Sequence, residues 1–238
     1  MIPLICLPFA GAGASFYQPW RKLPADGVDV RPLQLPGRER LVDVEPYTDL
    51  HAAADGLLPE ALKIAADGPV AVFGHCLGAV IAFELTHRLV DNGAEVVHLF
   101  TSASRGPWTG SPPWQGSREL SDDGFLKLVR DLTGYWHPAF DIPEMRELLL
   151  PAIRADFQMY EDYAPKHHNK FNVPITAVCA DNDLVVKHDE AALWGDATTA
   201  AFSLLDVSGD HMYIADAGQY LIDLITTTLK GAHDAVGR

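Results

Sequence analysis

Short runs of β-branched and aliphatic residues recur along this chain, almost unbroken by polar positions, and they limit its folds more than any other feature. They span Ile2 to Phe9, Val28 to Leu35, Pro69 to His75, Glu95 to Ala103, Val173 to Ala180 and Ala200 to Val207. A strand with one wet face alternates polar and apolar residues, whereas an unbroken run needs cover on both faces, as in a parallel sheet. Between the runs lie helical patterns such as "LHAAADGLLPEALKIAA", "GAVIAFELTHRLVDNG", "HDEAALWG" and "AGQYLIDLITTTLKG". The second ends on Asn92-Gly93, a C-terminal stop. Alternation of strand and helix predicts an α/β fold with right-handed crossovers and a mostly parallel central sheet flanked by helices. With 238 residues, 48% of them hydrophobic, the chain suits one compact domain with a large core.

"VFGHCLGAV", Val72 to Val80, joins a strand to a helix through Gly-x-Cys-x-Gly. That context is the one a nucleophile elbow requires. The turn is tight, so Gly74 and Gly78 have to be small, and Cys76 is thrust out above the sheet. The helix N-terminus beneath favours a thiolate. A nucleophile needs a base, and the base a carboxylate to orient it. In an elbow fold the acid follows a late strand and the histidine follows the last one. "VCADNDLVV" offers Asp181 and Asp183, with Asp183 favoured because it lies deeper in the loop; "LLDVSGDHMYI" offers His211. Backbone N–H groups of Leu77 and Ala10, with Phe9 the second choice, are expected to form the oxyanion hole. The Gly/Ala-rich loop "LPFAGAGAS" lacks the spacing and the lysine of a phosphate-binding loop. His75 is expected to pack within the elbow.

From about Arg105 to Pro165 strands give way to helical segments, "SDDGFLKLVRDLTG" and "PEMRELLLPAIRADFQMYEDY", after a Gly/Pro-rich loop. This predicts a lid, residues 105–165, laid over a core of 1–104 and 166–238, where open α/β sheets bind ligands. Phe9, Phe16, Trp108, Tyr135 and Trp136 are candidate substrate contacts. Trp114, Phe157 and Tyr160 are expected to pack the lid or line an acyl tunnel, and His137 to serve structure more than substrate.

A net charge of -14 opposes nucleic-acid binding and anionic membranes. Arg21, Lys22, Arg38 and Arg40 read as solvated surface. No apolar run is long enough to cross a membrane, and no secretory leader is apparent. Three cysteines are too few and too scattered for a disulfide framework or a zinc site. Cys6 and Cys179 read as buried thiols, and a reducing cytoplasm fits all three. No metal or organic cofactor is implied, and a monomer is expected.

"LPFAGAGASFYQPW", "LQLPGRERL", "FGHCLGAVIAFEL", "LLLPAIRADFQMYEDY", "CADNDLVV" and "SGDHMYI" together resemble the type II thioesterases of nonribosomal peptide and polyketide assembly lines. The resemblance runs from about Leu4 to Leu224. It implies an α/β-hydrolase fold with a helical lid, and action on acyl groups held as thioesters on the phosphopantetheine arm of acyl or peptidyl carrier proteins. It puts Cys76, Asp183 and His211 in the nucleophile, acid and base positions, and matches Arg154 to a lid motif. Two features depart from it. The family usually has serine where Cys76 stands, and "DLTGYWHPAF" lacks a Gly-Gly-Thr-Pro-like stretch. Both weigh against simple hydrolysis. A cysteine acyl-enzyme is itself a thioester, which favours acyl transfer to a thiol or a small amine over hydrolysis. The alternative is an editing hydrolase releasing stalled acyl groups as free acids, with the cysteine native or substituted for serine.

Overall fold

Each of the unbroken apolar runs forms a strand. The computed structural model describes residues 1–134, 136–166 and 169–236. In it β1 (Ile2–Leu7), β2 (Val28–Pro32), β3 (Val70–His75), β4 (Val96–Ser102), β5 (Ile175–Ala180) and β6 (Phe202–Val207) build one 6-stranded sheet, ordered β2-β1-β3-β4-β5-β6. All neighbouring pairs are parallel. β3 and β5 are buried along their whole length, which is why their sequences never alternate. Some strands end sooner than their apolar runs. Pro8 follows β1 and Pro32 closes β2, and neither can donate to a ladder.

Residues of one strand still divide between the two faces. Ile5, Leu7, Val70 and Val72 pack with α1 (Leu50–Ala65) and α2 (Leu77–Asp91). Leu4, Cys6, Ala71 and Phe73 pack against Leu221, Ile222 and Ile225 on the other side, within a later helix, Gly218–Val236. This is the period of two that a pleated strand imposes. Asp49 caps α1 by accepting from Ala52 N–H at 2.7 Å. Gly93, at φ 78, follows the end of α2.

Between β4 and β5 run α3 (Asp122–Thr133) and α4 (Pro143–Glu161). Ser121 caps α3 through Gly124 N–H, and α4 continues past Pro151. Phe125, Leu126, Ile153 and Phe157 of these helices share a third cluster with Trp114 and with Val185 from the loop after β5. Arg154 ties the pair together: its guanidinium donates to Asp122 Oδ1 and Leu120 O and lies 4.5 Å from the Phe125 ring centre. The "HDEAALWG" pattern yields only a short helix, α5 (His188–Ala192), which tightens into a 3-10 turn. The last helix, Gly218–Val236, is α6. No helix among the described residues is long and apolar enough to cross a membrane.

Candidate active site

β3 meets α2 in a turn with no room for side chains. A Cβ on Gly74 would sit 2.1 Å from Gly78 O, and one on Gly78 would sit 2.4 Å from Leu7 O. Between them Cys76 takes φ 52 and ψ -120, a region that costs a non-glycine residue energy. Its N–H donates to Ser102 O at 2.9 Å, fastening the turn to β4. Beneath it His75 is fully buried, with Nδ1 2.8 Å from Ser102 Oγ, which lies 2.5 Å from Tyr213 OH. Burial first, then the charge on His211, holds His75 well below the usual imidazole range. The expected packing role of His75 has this network as its substance.

Cys76 lines a cavity of about 600 Å³ together with Ala10 and His211. His211, in the loop after β6, is 2% exposed, and its Nδ1 lies 2.9 Å from Asp183 Oδ2. The other oxygen of Asp183 accepts from Val185 N–H at 2.7 Å and Val186 N–H at 3.0 Å, so the carboxylate cannot swing away. Asp181 instead accepts from Gly209 N–H and ties two loops together. Burial acts most strongly on His211 and pulls its pKa down. The negative charge of Cys76, reinforced by the hydrogen bond and charge of Asp183, outweighs burial and pushes it up to about 10. A protonated imidazole is the state this arrangement favours.

Leu77 is the first residue of α2, so its N–H has no carbonyl one turn back to receive it. On the other side Ala12 N–H donates to Phe9 O at 3.0 Å and closes a turn with Gly11 at φ 79. Ala10 sits inside this turn, and its N–H has no acceptor among the described residues. Ala10 and Cys76 also share a second, small cavity of about 20 Å³. Leu77 follows Cys76 in the chain, and Ala10 lines the same cavity as Cys76.

Phe9, Phe16 and Trp136 line the main cavity, along with Ile153, Phe157 and Met212. Trp108 does not. It packs edge-on against Phe83 and lines a separate groove beside Arg105 and Tyr163, because the loop after β4 carries it over α2 rather than toward Cys76. Tyr135 lies outside the described residues. His137 lines the cavity and also caps the turn that follows, accepting from Ala139 N–H at 3.1 Å. Arg38 corrects another expectation: it is 4% exposed, paired with Asp156, and no part of a solvated patch. Asp156 was not singled out from sequence. Its one trace there is a charge between Ile153 and Phe157 on the apolar face of α4. Among the described residues no group of three or more His, Cys, Asp or Glu is arranged to hold a metal.

A parallel sheet, a strained strand-to-helix turn bearing a nucleophile-type side chain, and a late acid followed by a histidine define the α/β-hydrolase fold. Residues 2–229 match the thioesterase domain family, and the chain belongs to it. It is 31% identical over 228 residues to the gramicidin S biosynthesis protein GrsT of Aneurinibacillus migulanus, covering 95% of this chain and 88% of that protein. It is 30% identical over 239 residues to thioesterase PikA5 of Streptomyces venezuelae, covering 98% and 84%. Among solved structures, ClbQ from the colibactin NRPS/PKS pathway superposes with a TM-score of 0.92 at 27% identity, covering 98% of this chain and 99% of that one. The type II thioesterase BorB from the borrelidin biosynthetic cluster gives 0.84 at 33% identity, covering 95% and 92%.

Proposed function

We propose that this thioesterase acts on acyl or aminoacyl groups carried on the phosphopantetheine arm of acyl or peptidyl carrier proteins, through a covalent Cys76 acyl-enzyme. Kinship with proteins of peptide and polyketide pathways supports the carrier-bound substrate. One observation carries the mechanism: Cys76 borders a cavity of about 600 Å³, held at positive φ beside a His211 that is itself fixed by Asp183.

The Cys76 thiolate attacks the thioester carbonyl carbon, and the carbonyl oxygen takes the negative charge toward the N–H groups of Leu77 and Ala10. As the intermediate collapses, the carbon–sulfur bond to pantetheine breaks. The leaving thiolate takes the His211 proton, and the acyl group stays on Cys76. Neutral His211 then removes a proton from the incoming nucleophile, and Cys76 leaves as a thiolate. Water as nucleophile gives the free acid. A thiol or an amine gives transfer, which the sulfur favours, because a thioester acyl-enzyme keeps the reactivity that an oxygen ester would lose. The segment 105–165 acts as a lid over the core, and its apolar lining suits an apolar acyl chain. Cys6, Cys76 and Cys179 are all free thiols, in keeping with a cytoplasmic setting.

The test loads a carrier protein with a labelled acyl group and follows the label after addition of this protein, with and without a second free carrier or a small amine. Label on the acceptor supports transfer; free acid alone, at a rate no acceptor alters, supports the editing hydrolase. Cys76→Ala is expected to lose at least about 10³-fold in turnover. Turnover surviving that change would remove the cysteine mechanism altogether.

A further inference from the structure

α4 buries an apolar face that includes Ala152, Ile153 and Phe157, and in the middle of it lies Asp156, 1% exposed. A carboxylate in that position needs a partner. It has Arg38, from the loop after β2, which donates through two nitrogens to its two oxygens at 2.6 Å and 2.8 Å. The pair does not stop at itself. Asp156 Oδ2 also accepts from Gly11 N–H at 2.7 Å, and Arg38 also donates to Ala12 O at 3.1 Å. The acid holds the N–H and the base the carbonyl of consecutive residues in the turn that carries Ala10. Gln34 steadies the same loops, accepting from Ala14 N–H and donating to Leu35 O.

A buried ion pair is a weak stability device, since apolar residues of similar volume often serve as well. What this one supplies is geometry: a planar, two-point grip on a turn otherwise closed by a single backbone hydrogen bond. We propose that Arg38 and Asp156 are positioning residues that set the Ala10 N–H for the oxyanion, and that they make its placement depend on the lid helix being seated. If α4 lifts, Asp156 leaves with it, and Gly11 loses its acceptor. The second oxyanion donor is therefore complete only when α4 is down over the occupied cavity. This inference rests on the Cys76 acyl-enzyme reading.

The test separates oxyanion chemistry from thiol reactivity. Acylation by an N-acetylcysteamine thioester passes through an oxyanion; alkylation by iodoacetamide does not, and needs only Cys76 and His211. The double variant Arg38→Met/Asp156→Leu removes the grip while leaving no lone buried charge. Its acylation rate constant is expected to fall about 10- to 100-fold, with alkylation rate and Tm retained. Acylation left intact would overturn the proposal, and so would acylation and alkylation falling together, the mark of a merely structural role. Arg38→Gln/Asp156→Asn, which keeps an acceptor for Gly11, is expected to restore most of the lost acylation. The unaltered protein gives a reading free of any folding risk. Its saturated acylation rate constant should rise from acetyl to octanoyl thioester as the chain seats the lid, whereas a constant that ignores chain length would overturn the coupling. Cys76→Ala run alongside reports separately on the acyl-enzyme itself.

Discussion

In the proposed mechanism His211 lends a proton to a leaving thiolate and takes one from the next nucleophile, so the strength with which it holds that proton governs both half-reactions. Burial opposes the charge on this ring, yet Cys76 and Asp183 raise its pKa to about 10, so the imidazolium that acylation uses persists through neutral pH and is lost as pH rises through that value. Asp183→Asn removes one of the two supports. The basic limb of the kcat/KM profile for a thioester should therefore move to lower pH, and a limb that stays in place would show that Asp183 only orients the ring. The residues of this cluster were legible because each follows from a local rule. A turn between two glycines needs small neighbours, and an acid and a histidine follow the late strands. Asp156 obeys no local rule, since its partner Arg38 lies 118 positions away and only folding brings α4 to it.

At the scale of elements, the strands could be read directly because a sheet covered on both faces leaves an unbroken apolar trace. Irregular segments leave no such trace. Trp108 carries the same aromatic chemistry as Trp136, yet one packs over α2 and the other lines the cavity, and nothing local distinguishes them. The pairing of α3 with α4 depends on side-chain ties of this non-local kind, of which Arg154 to α3 is the clearest. Its ion pair is partly exposed and contributes little by itself, while the carbonyl bond and the Phe125 face add to it. Arg154→Ala is expected to cost about 1 kcal/mol. The effect should be local, with faster amide hydrogen exchange in α3 and α4 and an unchanged sheet. Faster exchange throughout the sheet would mean that these two helices and the sheet unfold as one unit.

The whole molecule carries a net charge of -14 and also buries histidines in the sheet, and these respond to acid in opposite directions. Lowering the pH first relieves self-repulsion, which stabilises the folded state. His98 works against this. It lies stacked 4.3 Å from Phe100, with Nε2 2.9 Å from Thr176 Oγ1, and burial pulls its pKa from 6.5 to about 4. The unfolded chain therefore binds a proton at His98 that the folded chain refuses. Stability from this group is complete above pH 6.5 and is lost as pH falls toward 4, by about 3 kcal/mol. His75, lowered for the same first reason, adds to the loss. His98→Gln keeps a polar group for Thr176 but cannot titrate, and the relief of self-repulsion is almost the same in both proteins. Thermal unfolding measured from pH 7 to pH 4 should thus show the variant losing less stability than the parent, with the gap opening below pH 6.5. Parallel curves over that range would mean that His98 reaches water in the folded state, and that the sheet between β4 and β5 is less tightly closed than its packing implies.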